Sequence, residues 1–457
     1  MKANDTSRQK KNILISCGVL LIVACLCLGV ILVSGVGVTL LSPFDFSQET
    51  SKGPTATAVS GLPDQLASEI AEIESQVSQI RGLEKKTDVD HTMISSEELE
   101  ELVVEDFFSE YSDEDAFQDV LVLSSLGLLP GEFDLKGFYQ SLYSEQIAGF
   151  YDEETKEIFV VQGQDFGGSE KLTYSHEFTH VLQDQAYGLE DGLGLNQDAC
   201  EEDSERCAAI QALIEGDATQ TEILWFQNFG SRQDYSDLLD MFDQLDTPIL
   251  DSAPPFMSSD LYFPYEKGFE FVQSLYEEGG FEAVDEAYLN PPISTEQILH
   301  PDKYPEDVPL KVELRDLSGM LGSNWNLLDQ NVMGEWYTYL ILNKSYNEAY
   351  QIEESRALEA SEGWGGDAYA VYLNETTEET IFIMDTLWDT MDDADQFVVA
   401  FDQYAEKRWG EISGTRLEAN IWQGEGYEVA FWHLDNRTIW VMAPDGELLE
   451  RVITEIQ

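Results

Sequence analysis

Tyr174-Ser175-His176-Glu177-Phe178-Thr179-His180-Val181-Leu182 contains HExxH in a stretch whose apolar spacing predicts a helix beginning near Ser169. Residues four apart share one helical face, so His176 and His180 can offer both imidazoles to one tetrahedral ion. Glu177 sits beside that face, where its carboxylate can reach a metal-bound water. Zinc lowers the pKa of such a water and polarises a scissile carbonyl. Glu177 is then the group that accepts the proton and delivers it to a leaving amine. A two-histidine face can also be merely buried and hydrogen-bonded. Against that, the chain has five histidines (His91, His176, His180, His300, His433), and two of them fall at this spacing around a glutamate. One zinc ion per chain is the expectation.

Two histidines leave a catalytic zinc short of a third protein ligand. A second helix, expected from about Glu205 to Phe226, carries Glu215 among Ile210, Leu213, Ile214 and Ala218. A carboxylate embedded in such a face is costly to bury without a partner, and a metal is one such partner. Asp217 lies on a different face, where it could orient a histidine from behind. Glu222 shares Glu215's face two turns on and is the reserve ligand. An oxyanion donor is also needed; His300 is the first candidate, with Tyr262 and Tyr265 behind it. The strand Ile158 to Val161, ahead of the motif helix, is expected to lie at a sheet edge and to pair with an extended peptide.

The chain around these residues alternates in pattern. Leu66, Ile70, Ile73, Val77 and Ile80 mark an amphipathic helix, and further helices are expected over Glu97 to Tyr111 and Ala116 to Leu129. Phe150-Tyr151, a turn at Asp152 to Lys156, and Ile158 to Val161 read as a hairpin. Helices are expected over Tyr265 to Glu278, Phe281 to Tyr288 and Asn331 to Ser345. Gly363-Trp364-Gly365-Gly366-Asp367 reads as a tight turn into a strand Ala368 to Leu373. Strands at Thr380 to Met384, Tyr427 to Trp432 and Ile439 to Met442, with a helix from Asp393 to Lys407, complete an α+β lobe.

The composition bounds the function classes. There are 89 acidic residues against 24 basic ones, a formal net charge of −65. Phosphate binding needs clustered Lys and Arg, so a nucleic-acid partner is excluded. The acidity could attract cations or basic peptides, but it is spread along the chain and reads as a solvated surface. From Ile13 to Leu41 no residue is charged, which is long enough for one membrane-spanning helix. Lys2, Arg8, Lys10 and Lys11 precede it, so the positive-inside rule leaves a cytoplasmic tail of residues 1–12 and an extracytoplasmic remainder at the cell membrane. A cleaved signal peptide has a shorter apolar region. Ile22-Val23-Ala24-Cys25 resembles a lipoprotein cleavage box, but the apolar run continues well past Cys25. Only Cys200 and Cys207 lie beyond that segment, and an even pair outside the cytoplasm predicts a disulfide. No CxxC spacing favours zinc on these cysteines.

HEFTHVLQDQ followed by EGDA resembles a group of exported or membrane-anchored bacterial zinc metallopeptidases with a gluzincin-like His-His-Glu site. GFYDEETKEIFVV, PPISTEQILHPDKY and GWGGDAY extend the resemblance from about Arg81 onward. It implies a zincin-type core with Glu215 as third ligand, and a reaction class without a particular substrate. The separation from His180 to Glu215 is longer than in compact zincins, with an acidic, cysteine-bearing insertion between. The fold expectation is therefore helix-rich α+β: a transmembrane helix at 13–41, a linker at 42–62, a zincin-like metallopeptidase domain at 63–315 and a C-terminal α+β lobe at 316–457. The expected activity is zinc-dependent hydrolysis of a peptide or protein substrate. The rival reading from another class is a surface binding or adhesion protein that holds a metal and hydrolyses nothing. A weaker third is an assembly factor for nearby membrane proteins.

Overall fold

Residues 62–457 are described in a computed structural model, apart from 96–97, 99–110, 147–148, 153–155, 162–165 and 246. The membrane-spanning segment, the linker and almost all of the helix expected over Glu97 to Tyr111 lie outside the described residues. No helix among the described residues is long and apolar enough to cross a membrane.

The first part of the chain is mainly helical. It runs α1 (Asp64–Arg81), β1 (Asp90–Ile94), α2 (Asp113–Leu126), α3 (Leu135–Gln146), β2 (Gly149–Asp152), β3 (Glu157–Val161), α4 (Gly168–Tyr187) and α5 (Gln197–Glu202). It continues through α6 (Ser204–Phe229), α7 (Arg232–Gln244), α8 (Pro248–Asp251), α9 (Pro255–Gly279), α10 (Phe281–Leu289) and α11 (Thr295–Leu299). After the short α12 (Ser318–Leu321) come β4 (Trp325–Asn331), α13 (Gly334–Asn343), α14 (Glu354–Ser361), β5 (Trp364–Asn374), β6 (Thr380–Trp388) and α15 (Met391–Trp409). The chain finishes with β7 (Gly414–Arg416), β8 (Ala419–Gln423), β9 (Glu428–Leu434), β10 (Arg437–Ala443) and α16 (Gly446–Ile456). The protein is thus mixed α+β and helix-rich, as the sequence patterns indicate.

Two helices form the scaffold of the site. α6 is 26 residues long, roughly 39 Å at 1.5 Å per residue. It begins where the Asp203 side chain accepts the Arg206 N–H, and Cys200 and Cys207 are disulfide-bonded across that start. α9 packs along it at very short range. A Cβ on Gly216 would run into the Gly268 carbonyl, and a Cβ on Gly268 would run into the Ala212 carbonyl. Glycine is required at both positions by this approach, not by backbone conformation. α9 also corrects a boundary: the helix expected from Tyr265 starts at Pro255 and runs through Pro264.

Two sheets are present. The smaller has order β1-β3-β2, with β1 parallel and β2 antiparallel to β3. β3 is therefore its central strand, and the expectation that Ile158 to Val161 forms an open edge is overturned. Both ladders of β3 are already taken, and the edge beside α4 is β2. The larger sheet is antiparallel in order β4-β5-β6-β10-β9-β8-β7. Its strands read as nearly continuous apolar runs because both faces are covered. Tyr369, Val371, Phe382, Met384 and Trp440 face the main core with α13 and α15. Ala370, Tyr372, Ile381, Ile383 and Val441 face α16.

The main buried cluster includes residues of α2, α6 and α9 together with α13, α15 and the inner sheet face. It crosses the irregular stretch around residue 315 without a break. GWGGDAY does not form a turn ahead of the strand. β5 begins at Trp364, with a bulge between Trp364 and Gly366, and buried Asp367 accepts the Met333 and Gly334 N–H groups at 2.8 and 3.0 Å. Those bonds fix the start of α13 at Gly334, three residues later than the periodicity suggests.

Candidate metal centre

α4 is fixed at both ends. Gly167 N–H donates to the Glu170 carboxylate at 3.0 Å and Gly168 N–H to Asp237 at 3.2 Å, while Gly188, at φ +70°, sits just past the last turn. Between them every side chain from Leu172 to Gln183 is buried, because α4 packs against α1, α6, α7 and β2. Its 3.6-residue period brings His176 and His180 onto the face turned toward α6, with ring centroids 4.8 Å apart.

Glu215 of α6 meets them there. Its Oε2 lies 3.1 Å from His176 Nε2 and 3.5 Å from His180 Nε2. All three potential ligand atoms fall within 4.8 Å of one another. A tetrahedral ion with bonds of about 2 Å needs its donors roughly 3.3 Å apart, so the spacing suits zinc. Burial disfavours a charged Glu215, but His180 and His176 outweigh it and hold its pKa at about 2. Burial likewise opposes a charged His176, yet Glu222 and Glu215 raise its pKa well above the ordinary value. A buried carboxylate here calls for positive charge. Arg81 is engaged with Asp217 and Asp285 instead.

Glu177 lies beside these three residues, with its Oε2 accepting the Tyr151 N–H of β2 at 3.0 Å. Its Oε1 is buried and makes no hydrogen bond. Burial, only partly offset by His180 and His176, raises its pKa to about 7, which suits a group that must take and return a proton near neutrality. His176, Glu177, His180 and Glu215 are each about 1% exposed.

The other candidate residues separate clearly. Glu222 stands behind His176, with its Oε2 3.2 Å from Nδ1, whereas Glu215 is the carboxylate that faces both Nε2 atoms. Asp217 also points away from the centre. It accepts from Gln183 Nε2 at 2.9 Å and from Tyr288 OH at 2.8 Å. Gln183 in turn accepts from His180 Nδ1 at 2.8 Å. Tyr265 reaches the site, its ring 6.2 Å from that of His176, whereas Tyr262 packs on the main core.

His300 is not brought to the centre. It bonds Glu335 of α13 at 2.9 Å. The helix that leads to it is tied to the start of α6, where Glu205 accepts the Thr295 N–H. Glu215 lies ten residues further along α6, about 15 Å on. No sequence pattern marks Gln183, one turn past His180 on the motif helix, or Arg81, whose charge gives no hint of burial. A second polar group is unmarked as well: Tyr174 OH donates to Glu74 of α1 at 2.9 Å, and His91 Nε2 lies 2.7 Å from that hydroxyl.

With this geometry in hand, comparison with known families finds one match. A family model described as a domain of unknown function (DUF8575) matches residues 326–453. That span corresponds to the seven-stranded sheet with α13 to α16 and excludes the metal-ligand cluster. No curated protein matches the chain, and no solved structure matches it.

Proposed function

We propose that the chain is a zinc-dependent peptidase built on a zincin-like core, with His176, His180 and Glu215 as metal ligands and Glu177 as general base. The observation that carries this reading is the convergence of three ligand atoms with an unbonded Glu177 oxygen beside them. A bound zinc ion would supply Lewis-acid polarisation of the scissile carbonyl and acidify water at the site. Glu177, poised near neutrality, takes the water proton and returns it to the leaving nitrogen. The Tyr151 N–H orients one Glu177 oxygen and leaves the other for that proton. Tyr265 stands on the His176 side, where a hydroxyl could meet developing negative charge. β2, whose outer side faces α4, takes over the role of aligning an extended peptide. With the N-terminal segment read as an anchor, the substrate is an extracytoplasmic peptide or protein.

A metal-containing protein without hydrolytic activity is the second reading, and the deep burial of all four residues is what favours it. That reading leaves a buried glutamate oxygen without a use, whereas hydrolysis needs it. Two variants separate the readings. In the full-length protein, His176→Ala with His180→Ala should abolish bound zinc, measured by atomic emission. Glu177→Gln should keep the zinc and lose turnover of a peptide library. Hydrolysis unaffected by Glu177→Gln would sink the peptidase assignment.

A further inference from the structure

We infer that Arg81 is a positioning residue for this metal centre, acting through Asp217 and Gln183 on the orientation and tautomer of His180. The inference rests on the metal reading above. Its basis is a continuous buried chain of hydrogen bonds between a residue of α1 and a ligand on α4. His180 Nδ1 meets Gln183 Oε1 at 2.8 Å. The Gln183 amide nitrogen donates to the Ile214 carbonyl at 3.0 Å and to Asp217 at 2.9 Å. With both amide hydrogens given away in that direction, only the amide oxygen can face His180. An amide oxygen accepts and never donates, so Nδ1 carries a proton and Nε2 is the ring atom turned toward Glu215.

What holds Gln183 that way round is Asp217, and what holds Asp217 in place is Arg81. Asp217 and Arg81 are both fully buried, with Arg81 Nε 2.7 Å from Asp217 Oδ1. Without Arg81 the buried Asp217 side chain loses the partner that fixes its place, and Gln183 loses its anchor. Arg81 is itself held from the far side: its Nη1 lies 2.7 Å from Asp285, which accepts from Tyr187 OH at 2.6 Å. The guanidinium also lies 4.7 Å from the centre of the Phe281 ring. Its position is thus fixed by α6 and α10 together, 136 residues from Asp217 in sequence. His176 has no such relay, since Glu222 stands directly behind its Nδ1. The two histidines are therefore supported by different means, and a change at Arg81 should reach His180 alone.

The test uses the full-length chain as wild type and as Arg81→Met, Arg81→Lys, Gln183→Met and the Arg81→Met/Gln183→Met double variant. Ile73→Ala is the control, because it loosens the buried side of α1 without touching the relay. Two quantities are read: the zinc Kd, by competition with a chromophoric chelator, and the visible absorption of the cobalt-substituted protein. Arg81→Met and Gln183→Met should each weaken zinc binding by about 10–100-fold and alter the cobalt spectrum. Arg81→Lys should fall between wild type and Arg81→Met. The double variant should be no weaker than the worse single one, as expected for members of one relay. Ile73→Ala should lose thermal stability while keeping both readouts. Wild-type affinity and spectrum in Gln183→Met or in folded Arg81→Met would overturn the relay and leave the metal site standing. Additive losses in the double variant, or an equal loss in Ile73→Ala, would also overturn it. A wild-type protein that binds no zinc would overturn the relay and the metal reading together. If Arg81→Met does not fold, Arg81→Lys and Gln183→Met decide the matter on the same readouts.

Discussion

Gly216→Ala separates two physical effects that predict opposite signs. Gly216 lies in the middle of α6, directly after Glu215. Helix propensity alone says that alanine there should stabilise the protein by about 1 kcal/mol. The packing says otherwise. The new Cβ would overlap the Gly268 carbonyl carbon and oxygen and would stand 2.8 Å from the Phe269 nitrogen. These obstacles are backbone atoms of α9, which cannot swing aside as a flexible side chain can. Overpacking of a core costs about 1–3 kcal/mol, and an immovable obstacle belongs at the upper end. Net destabilisation of about 2 kcal/mol is therefore expected once the propensity gain is subtracted. Relief of the clash must push α6 away from α9 and displace Glu215, so zinc affinity should fall as well. Urea unfolding of the metal-free protein, followed by tryptophan fluorescence, gives the first quantity, and chelator competition gives the second. A midpoint equal to or above wild type, with unchanged zinc affinity, would refute the packing argument. Gly268→Ala meets the Ala212 carbonyl and should shift both quantities in the same direction.

Glu177→Gln should keep one zinc per chain and lower kcat for peptide hydrolysis by roughly 10²–10⁴-fold, read from steady-state kinetics beside metal analysis. His300→Ala should leave zinc content and peptide turnover at wild-type values, since His300 pairs with Glu335; a selective loss of turnover would return it to the site. Replacing Cys200 and Cys207 together by serine should cost about 2–3 kcal/mol in urea unfolding, from the loop-closure entropy of a seven-residue separation. Burial raises the carboxyl pKa of Asp260, Asp329 and Asp367 from 3.8 to about 6 in the folded protein. The folded state therefore holds more protons than the unfolded chain between pH 4 and 6, and stability falls as pH rises through that window. The thermal midpoint should be several degrees higher at pH 5 than at pH 7, and a midpoint that rises steadily toward pH 7 would contradict it.

Much of the site was legible because its chemistry is local. HExxH places two imidazoles on one face by helical period alone, and Glu215 stood out as a charge in an otherwise apolar stretch. Asp217 on a separate face was also readable as a group behind the histidines. His300 misled because a histidine beside turn-forming prolines carries no information about which helix end it docks against. The strand Ile158 to Val161 misled for a related reason: β-branched and aromatic content marks a strand, while edge or centre depends on partners such as β1, which pairs with it from 67 residues earlier.

The sequence by itself determined the helix-rich α+β class, the pairing of His176 and His180 on one helix face and the acidic character of the chain, because periodicity, spacing and composition are properties of neighbouring residues. Tertiary structure alone decided that Glu215 and not Glu222 faces both histidines, that β2 is the strand beside Glu177, and that Arg81 ends a relay to His180. Those outcomes depend on how closely α6 approaches α9 and on where a buried charge finds its counter-charge. Both are set by packing between segments far apart in the chain, where no local pattern is written.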